Sequence, residues 1–421
     1  MSKRRYKSEK FKQVNWGLVT ERIQGERIVL SVDVAKEDFV ASIMNDRQES
    51  VLIFNWRHPM QTAEVLEQIR HLWRICELEV ALEPSGTYGD VLVWQLHQLE
   101  IPVYRVSPKR VHDAAEVFDG VPSLHDAKAA CLIGRLHLQG ASQPWQVFSE
   151  SRRTAKVLES RLSLSKRHEQ ATCNRLEALL SRHWPELLFV LPLGTVTLAS
   201  LISAYGTPAS VASDPEGAAE LMRRAGGPGL KQEKIQAVLE CARNSLGVPA
   251  LDVERAQLQW LGAMALEAHR EVRRTEQEIT QLVAQDAVLT ALAGVVGKVS
   301  AAVLMAALGS PLDYPEASSY LKAYGLNLKE RSSGKHKGQL KITKRGSPVG
   351  RFYLYYAALR LIARDPVVKQ WYELKNHRPG AVKNKYVIAL MRKLAKALWH
   401  TARGKRFDAN KLFNLKAVAA A

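Results

Sequence analysis

Three carboxylates stand where a folded chain rarely leaves them unpaired. Asp33 closes the apolar run RIVLSVD (residues 27–33), between Val32 and Val34, and Glu83 closes ELEVALE (77–83) in the same way. A carboxylate at the end of a buried strand is costly unless it is paired or binds a cation. Asp126 opens the apolar stretch HDAKAACLIGRL (125–136), where it could equally cap a helix. Acids that arrive from different elements can surround a hard divalent cation, whose oxygen ligands no single element supplies, and such a cation supports phosphoryl transfer. Capping and surface roles account for the same residues one at a time, and spacing alone does not choose between the two.

A second group has nucleophilic character. KERSSGKHKGQLKITKRGSP (329–348) sets Ser332 and Ser333 before Gly334, among Arg331, Lys335, Lys337, Lys341, Lys344 and Arg345. A serine hydroxyl is a poor nucleophile unless activated. Those cations would ease its approach to a phosphodiester and stabilise the charge of the transition state, and Gly334 would let the backbone come close. His336 is the one neighbouring base in sequence. A loop that only grips phosphate fits these residues as well.

Composition narrows the partner. The 421 residues, 46% hydrophobic and 24% charged, have room for two or three domains and a substantial core. Net charge is +18 and unevenly placed: Leu321 to Ala421 holds 24 Lys/Arg against four Asp/Glu, and a shorter basic cluster fills MSKRRYKSEKFK. Concentrated positive charge attracts a phosphate backbone by counterion release, so nucleic acid is the expected partner. Cys76, Cys131, Cys173 and Cys241 are scattered, without a CxxC pair, which argues against a disulfide framework or structural zinc and for a reducing cytoplasm. The basic start has no apolar h-region and no long apolar run follows, so neither a signal peptide nor a membrane-spanning helix is expected.

These groups need a scaffold. RIVLSVD reads as a buried strand with DFVASIMN (38–45) as its hairpin partner. Helical spacing over 61–74, the strand ELEVAL, the helix YGDVLVWQLHQL and the strand PVYRVS follow. The order β-β-α-β-α-β predicts a mixed sheet flanked by helices. Residues 149–183 and 250–286 are long, polar and helical, which predicts an antiparallel, coiled-coil-like pair around a small helical segment, 187–247.

LTALAGVVGKVSAAVLMAALG (289–309) reads as helix, Gly-containing turn and helix. In such a helix-hairpin-helix, Gly294, Gly297 and Lys298 would meet a DNA phosphate at the turn and the following helix N-terminus. LLFVLPLGTVTLASLISAYG (187–206) is a weaker copy with Gly194 alone, and an ordinary αα-hairpin answers to either. The chain thus divides into a basic arm (1–26), an α/β domain (27–148), a helical region (149–286) and an all-α C-terminal domain (287–421).

Two strand-end acids with a third on a later helix form the arrangement of RNase-H-like nucleases. In order and at matching separations, SVDVAK, ALEPSGTYG, VSPKRV and HDAKAACLIGRL resemble the RuvC-like domain of the DEDD transposases of the IS-one-ten insertion-sequence family, relatives of the Piv invertases. LAGVVGKVSAAVLMAALG, AYGLNLKERSSG and ITKRGSPVGRFYLYYAA are similar to that family's second domain. The resemblance implies that 27–148 is a RuvC-like domain in which Asp33, Glu83 and Asp126 bind Mg2+. It implies equally that 287–421 is a transposase domain whose Ser333, with Ser332 as the fallback, attacks DNA. The family's fourth acid lies three residues after the third, and here that position is Ala129, leaving His125, Asp119 or water to replace it.

The resemblance further implies a transposase or site-specific recombinase that cuts and rejoins donor and target DNA in the cytoplasm, at the nucleoid. It would be guided by an element-encoded structured RNA, a bridge RNA, and assembled as a homodimer or homotetramer. Two other readings share these residues. A RuvC-like structure-selective nuclease using water needs the acids but not Ser333, and a nucleic-acid-binding protein without catalysis is kept open by Ala129. Tyr355 and Trp399, between basic residues, read as core or as platforms for unpaired bases.

Overall fold

The computed structural model describes residues 6–330, 338, 340–377 and 382–413, which fall into two compact units, one up to Val147 and one from Phe148. The first unit has seven strands: β1 (Glu9–Lys10), β2 (Arg27–Asp33), β3 (Asp38–Asn45), β4 (Ser50–Arg57), β5 (Glu77–Leu82), β6 (Val103–Val106) and β7 (Ser142–Pro144). Among the described residues five α-helices accompany them: α1 (Trp16–Ile23), α2 (Thr62–Ile75), α3 (Asp90–Gln98), α4 (Pro108–Asp113) and α5 (Asp126–Leu138).

All seven strands join one mixed sheet in the order β1-β4-β3-β2-β5-β6-β7. β4, β3 and β2 are antiparallel neighbours, whereas β2, β5 and β6 run parallel. The central strands are buried on both faces, which is why β2 is a nearly continuous apolar run. Ile28, Leu30 and Val32 pack with Val80 and Leu82 against α2 and α3, through Val65, Ile69, Leu72, Leu92 and Leu96. The alternate residues face the other way. Val29 and Ala81 meet Val111 of α4 and Leu132, Ile133 and Leu136 of α5. At Gly134, α5 comes so near the sheet that a Cβ would lie 2.8 Å from Ser31 Oγ.

Two expectations need correction. The order is β-β-β-α-β-α-β, because Ser50–Arg57 forms the strand β4 beside β3. The segment before residue 27 is more than a charged arm. From Glu9, it adds β1 to the sheet edge and α1 to the core, with Phe11, Val14, Val19 and Ile23 buried and Phe11 and Trp16 packed on Phe54.

The second unit is helical. α6 (Glu150–His183) and α12 (Asp252–Gln285), 34 residues each, enclose the small helices α7 (Leu187–Val190), α8 (Val196–Tyr205), α9 (Pro208–Ser213), α10 (Pro215–Gly226) and α11 (Gln232–Arg243). Arg161 pairs with Glu271 and Glu278, His269 with Glu169, and Arg182 with Glu254. Positions that rise along one helix fall along the other, so the two run antiparallel. There follow α13 (Ala287–Val296), α14 (Lys298–Leu308), α15 (Ala317–Ala323), the short strands β8 (Leu328–Lys329) and β9 (Lys341–Ile342), and α16 (Pro348–Arg364), α17 (Pro366–Asn376) and α18 (Lys383–Thr401). No helix among the described residues is long and apolar enough to cross a membrane.

Candidate active site

The acids gather at one end of the first unit's sheet. Val32 of β2 pairs with Leu82 of β5, and the Glu83 N–H donates to the Val32 carbonyl at 3.4 Å. Asp33 and Glu83 are therefore the next residues along two parallel strands spaced about 4.8 Å apart. By strand alternation both project to the face that α5 covers. Burial, and after it the charges of Glu83 and Asp126, push the Asp33 carboxyl up from its ordinary 3.8 to about 7. Burial raises Glu83 as well.

β5 supplies its own comparison. Glu79, four residues before Glu83 and on the same face, is also driven upward by burial. Hydrogen bonds from Arg27, Tyr104 and His137 outweigh that and hold it below its ordinary value, the Arg27 contact being 2.8 Å. One acid of the strand is paired with a guanidinium and hydrogen-bonded besides. Among the described residues, Asp33 and Glu83 have no ion-pair partner, so their repulsion is left uncompensated.

α5 brings the third acid. Asp126 is its first residue, capped by His125, whose Nδ1 accepts from the Lys128 N–H at 3.4 Å. Ala129, three residues on and thus beside Asp126 on the helix surface, is 5% exposed in the cluster with Val29 and Ala81. The fourth-acid position therefore turns toward the sheet and carries no carboxylate. Asp119 is not free to replace it, because its Oδ1 accepts from buried Lys128 Nζ at 2.9 Å. Among the described residues no three His, Cys, Asp or Glu side chains are gathered closely enough to hold a metal ion. The acids supply the all-oxygen donor chemistry and unbalanced charge that suit a hard cation, without forming a closed cage.

In the second unit β8 and β9 pair antiparallel, Leu328 with Ile342 and Lys329 with Lys341, two legs that flank the serine segment in sequence. Ser332 and Ser333 themselves, with Arg331, Lys335, His336 and Lys337, lie outside the described residues. The legs come close together at a tight neck. A Cβ on Gly346 would sit 2.3 Å from the Ala323 carbonyl, and Gly325 has φ +69°. Arg351 of α16 donates from Nη1 to the carbonyls of Tyr324, Lys344 and Gly346 at 2.9, 3.2 and 3.1 Å, tying both legs to one helix. Lys341, Lys344 and Arg345 are exposed.

The hairpin before this region differs from its expected form. Gly294 lies inside α13, and the turn to α14 is made by Gly297 alone, at φ +83°. Arg360 occupies its inner side, donating to the Val296 carbonyl and Ser300 Oγ at 2.6 Å each. Lys298, the first residue of α14, is exposed. Trp399 is half-buried, its indole N–H bonded to the Tyr314 carbonyl at 3.0 Å.

Comparison with known families decides the identity. A DEDD transposase model of the IS110 group matches residues 30–185, the stretch that carries all three acids, and the transposase model of the IS116/IS110/IS902 family matches residues 286–373. The chain belongs to the IS110 family of transposases. As an IS110-family transposase it is an enzyme of an insertion sequence that cleaves and rejoins DNA strands, and DEDD transposases typically use divalent metal ions. No curated protein matches the chain. In this transposase, two residues escaped the sequence reading: Lys128, whose signal is a lone lysine inside an apolar helix, and Arg351, which nothing in the sequence sets apart from its basic neighbours.

Proposed function

We propose that this transposase works through a RuvC-like domain, residues 27–148, in which Asp33, Glu83 and Asp126 hold Mg2+, and through Ser333 as nucleophile in the C-terminal domain, residues 287–421. The observation that carries the metal half is the contrast on β5 between the neutralised Glu79 and the unpaired Glu83 beside Asp33. Carboxylates buried without a cation partner cost stability, and a functional cation is the simplest reason to keep them. The strand order β4-β3-β2-β5-β6, antiparallel on one side and parallel on the other, supports an RNase-H-like domain.

A divalent cation at these acids would stabilise charge developing on the phosphoryl oxygens. Sheet-end backbone fixes Asp33 and Glu83, and the first turn of α5 presents Asp126. Lys341, Lys344 and Arg345 hold phosphates beside the serine segment, and Lys298 with the N-terminus of α14 holds another. The Ser333 hydroxyl oxygen forms the new bond to phosphorus while a deoxyribose oxygen leaves, so a serine–DNA ester keeps the strand ready for rejoining. The C-terminal excess of positive charge supports binding of a structured guide RNA as well as DNA, and assembly as a homodimer or homotetramer rests on the family resemblance.

The test of the serine half is direct. Ser333→Ala eliminates recombination while nucleic-acid affinity stays within about twofold, since one hydroxyl among many cations adds little. A nicked substrate traps a denaturation-resistant protein–DNA adduct, and peptide mapping places it on Ser333. Normal recombination by Ser333→Ala would make the segment a phosphate grip and give the nucleophile's role to another group, Ser332 first.

A further inference from the structure

Lys128 is the most deeply buried charged side chain beside the acids: 2% of it is exposed, against 9% of its partner Asp119. An ammonium has three donors, and all three are spent on one short stretch of chain. They reach Asp119 Oδ1 at 2.9 Å, the Val121 carbonyl at 2.7 Å and the Ser123 carbonyl at 3.1 Å. Asp119 in turn accepts from the Val121 N–H at 3.0 Å. Residues 121–125 have no regular secondary structure, yet this strap delivers the chain to His125, the cap of α5, and to Asp126. Without the ammonium, two inward-facing carbonyls and a carboxylate would lose their shared donor.

Burying an ion pair is poor value as stability alone, because a well-packed apolar pair of similar volume does as well or better. What an apolar pair cannot do is hold two main-chain carbonyls in place. We propose that Lys128 is a positioning residue for the metal-dependent reaction: its ammonium gathers the Asp119–Ser123 strap and so fixes the first turn of α5 and the carboxylate of Asp126. The inference rests on the reading of Asp126 as a cation ligand. Lys128 itself, with every donor engaged, touches neither cation nor DNA. Outer partners that orient metal ligands commonly alter metal affinity by about 10–100-fold when removed.

The experiment compares the full-length native chain with a Lys128→Met/Asp119→Leu double variant and with Asp126→Ala. Mn2+ alone is the probe, and its half-saturating concentration is read from the rise in unfolding temperature that binding causes. The double variant is expected to unfold near the native temperature without metal and to bind DNA normally, yet to need at least about tenfold more Mn2+. Its strand cleavage should recover toward the native rate as Mn2+ is raised, which a merely weakened fold would not do. Native-like Mn2+ affinity in the double variant, with affinity lost in Asp126→Ala, overturns the positioning role and leaves the acid site standing. Unchanged affinity in Asp126→Ala overturns the acid site instead. Should the double variant fail to fold, Asp119→Ala removes the strap's first anchor and is expected to weaken Mn2+ binding at least about threefold; unchanged binding there also overturns the proposal.

Discussion

Asp33 and Glu83 end neighbouring parallel strands in step, Val32 against Leu82, with the Glu83 amide bonded to the Val32 carbonyl. The register that builds the sheet also presses two carboxylates together. The backbone register sets the two residues side by side, and the charge of Glu83 adds to burial in raising the Asp33 carboxyl.

Burial, and after it that repulsion, has a measurable sign. Asp33 keeps its proton to about pH 7 in the folded chain, against an ordinary value of 3.8. Between those values the folded state binds more protons than the unfolded state, so this group's contribution is full below about pH 4 and is lost as pH rises through 7. Asp33→Asn should therefore stabilise the chain in chelator at pH 8, by an amount on the order of 1 kcal/mol, and have little effect at pH 4. Chemical denaturation at the two pH values checks this; an equal effect at both would show that the carboxylate is already relieved.

Position 129 tests the missing fourth acid. Ala129 is buried beside Val29 and Ala81, so Ala129→Asp should cost about 2–4 kcal/mol in chelator. Added Mg2+ should return part of that loss if the new carboxylate reaches the same cation as Asp126. Denaturation with and without Mg2+ reads the difference, and an identical cost in both would show that position 129 lies out of reach.

The electrostatic footprint is best tested by charge rather than by truncation. Deleting residues 321–421 would remove Tyr324, Leu354, Leu390 and Leu398 from the core of the second unit. Lys341, Lys344 and Arg345 are exposed on and beside the second leg of the ribbon. Converting all three to Gln should lower the slope of log affinity against log salt by about 2–3, with no change in unfolding temperature. An unaltered slope would place the phosphate contacts elsewhere.

Much of this architecture is legible in the chain. Asp33 and Glu83 stand out because both follow runs too apolar for a solvated strand, and α5 because its alanines and leucines run on from Asp126, although His125 and not Asp126 is the cap. β4 escapes because its turn from β3 carries no glycine: Gln48 takes the positive φ there, at 63°. The start of the chain escapes because its lysines mask Phe11, Val14 and Trp16, which bury themselves only once β4 and Phe54 exist to receive them. Gly297 makes the helical turn alone because α13 continues through Gly294, helix propensity losing to the packing of Leu292 and Val296. Lys128 shows in the sequence only as a lone lysine inside an apolar helix, since the strap that receives it is defined only in three dimensions.

The central claim is that Asp33, Glu83 and Asp126 form the cation site of strand cleavage. Its most direct measurement is cleavage of end-labelled DNA by the full-length enzyme with its copurified nucleic acid, titrated with Mg2+, for the native chain and for Glu83→Gln. The account predicts that Glu83→Gln lowers the cleavage rate at least about a thousandfold, on the order of 4 kcal/mol of transition-state stabilisation. DNA affinity and unfolding temperature in chelator should be equal to or above the native values. Mg2+-dependent cleavage by Glu83→Gln at the native rate would contradict it.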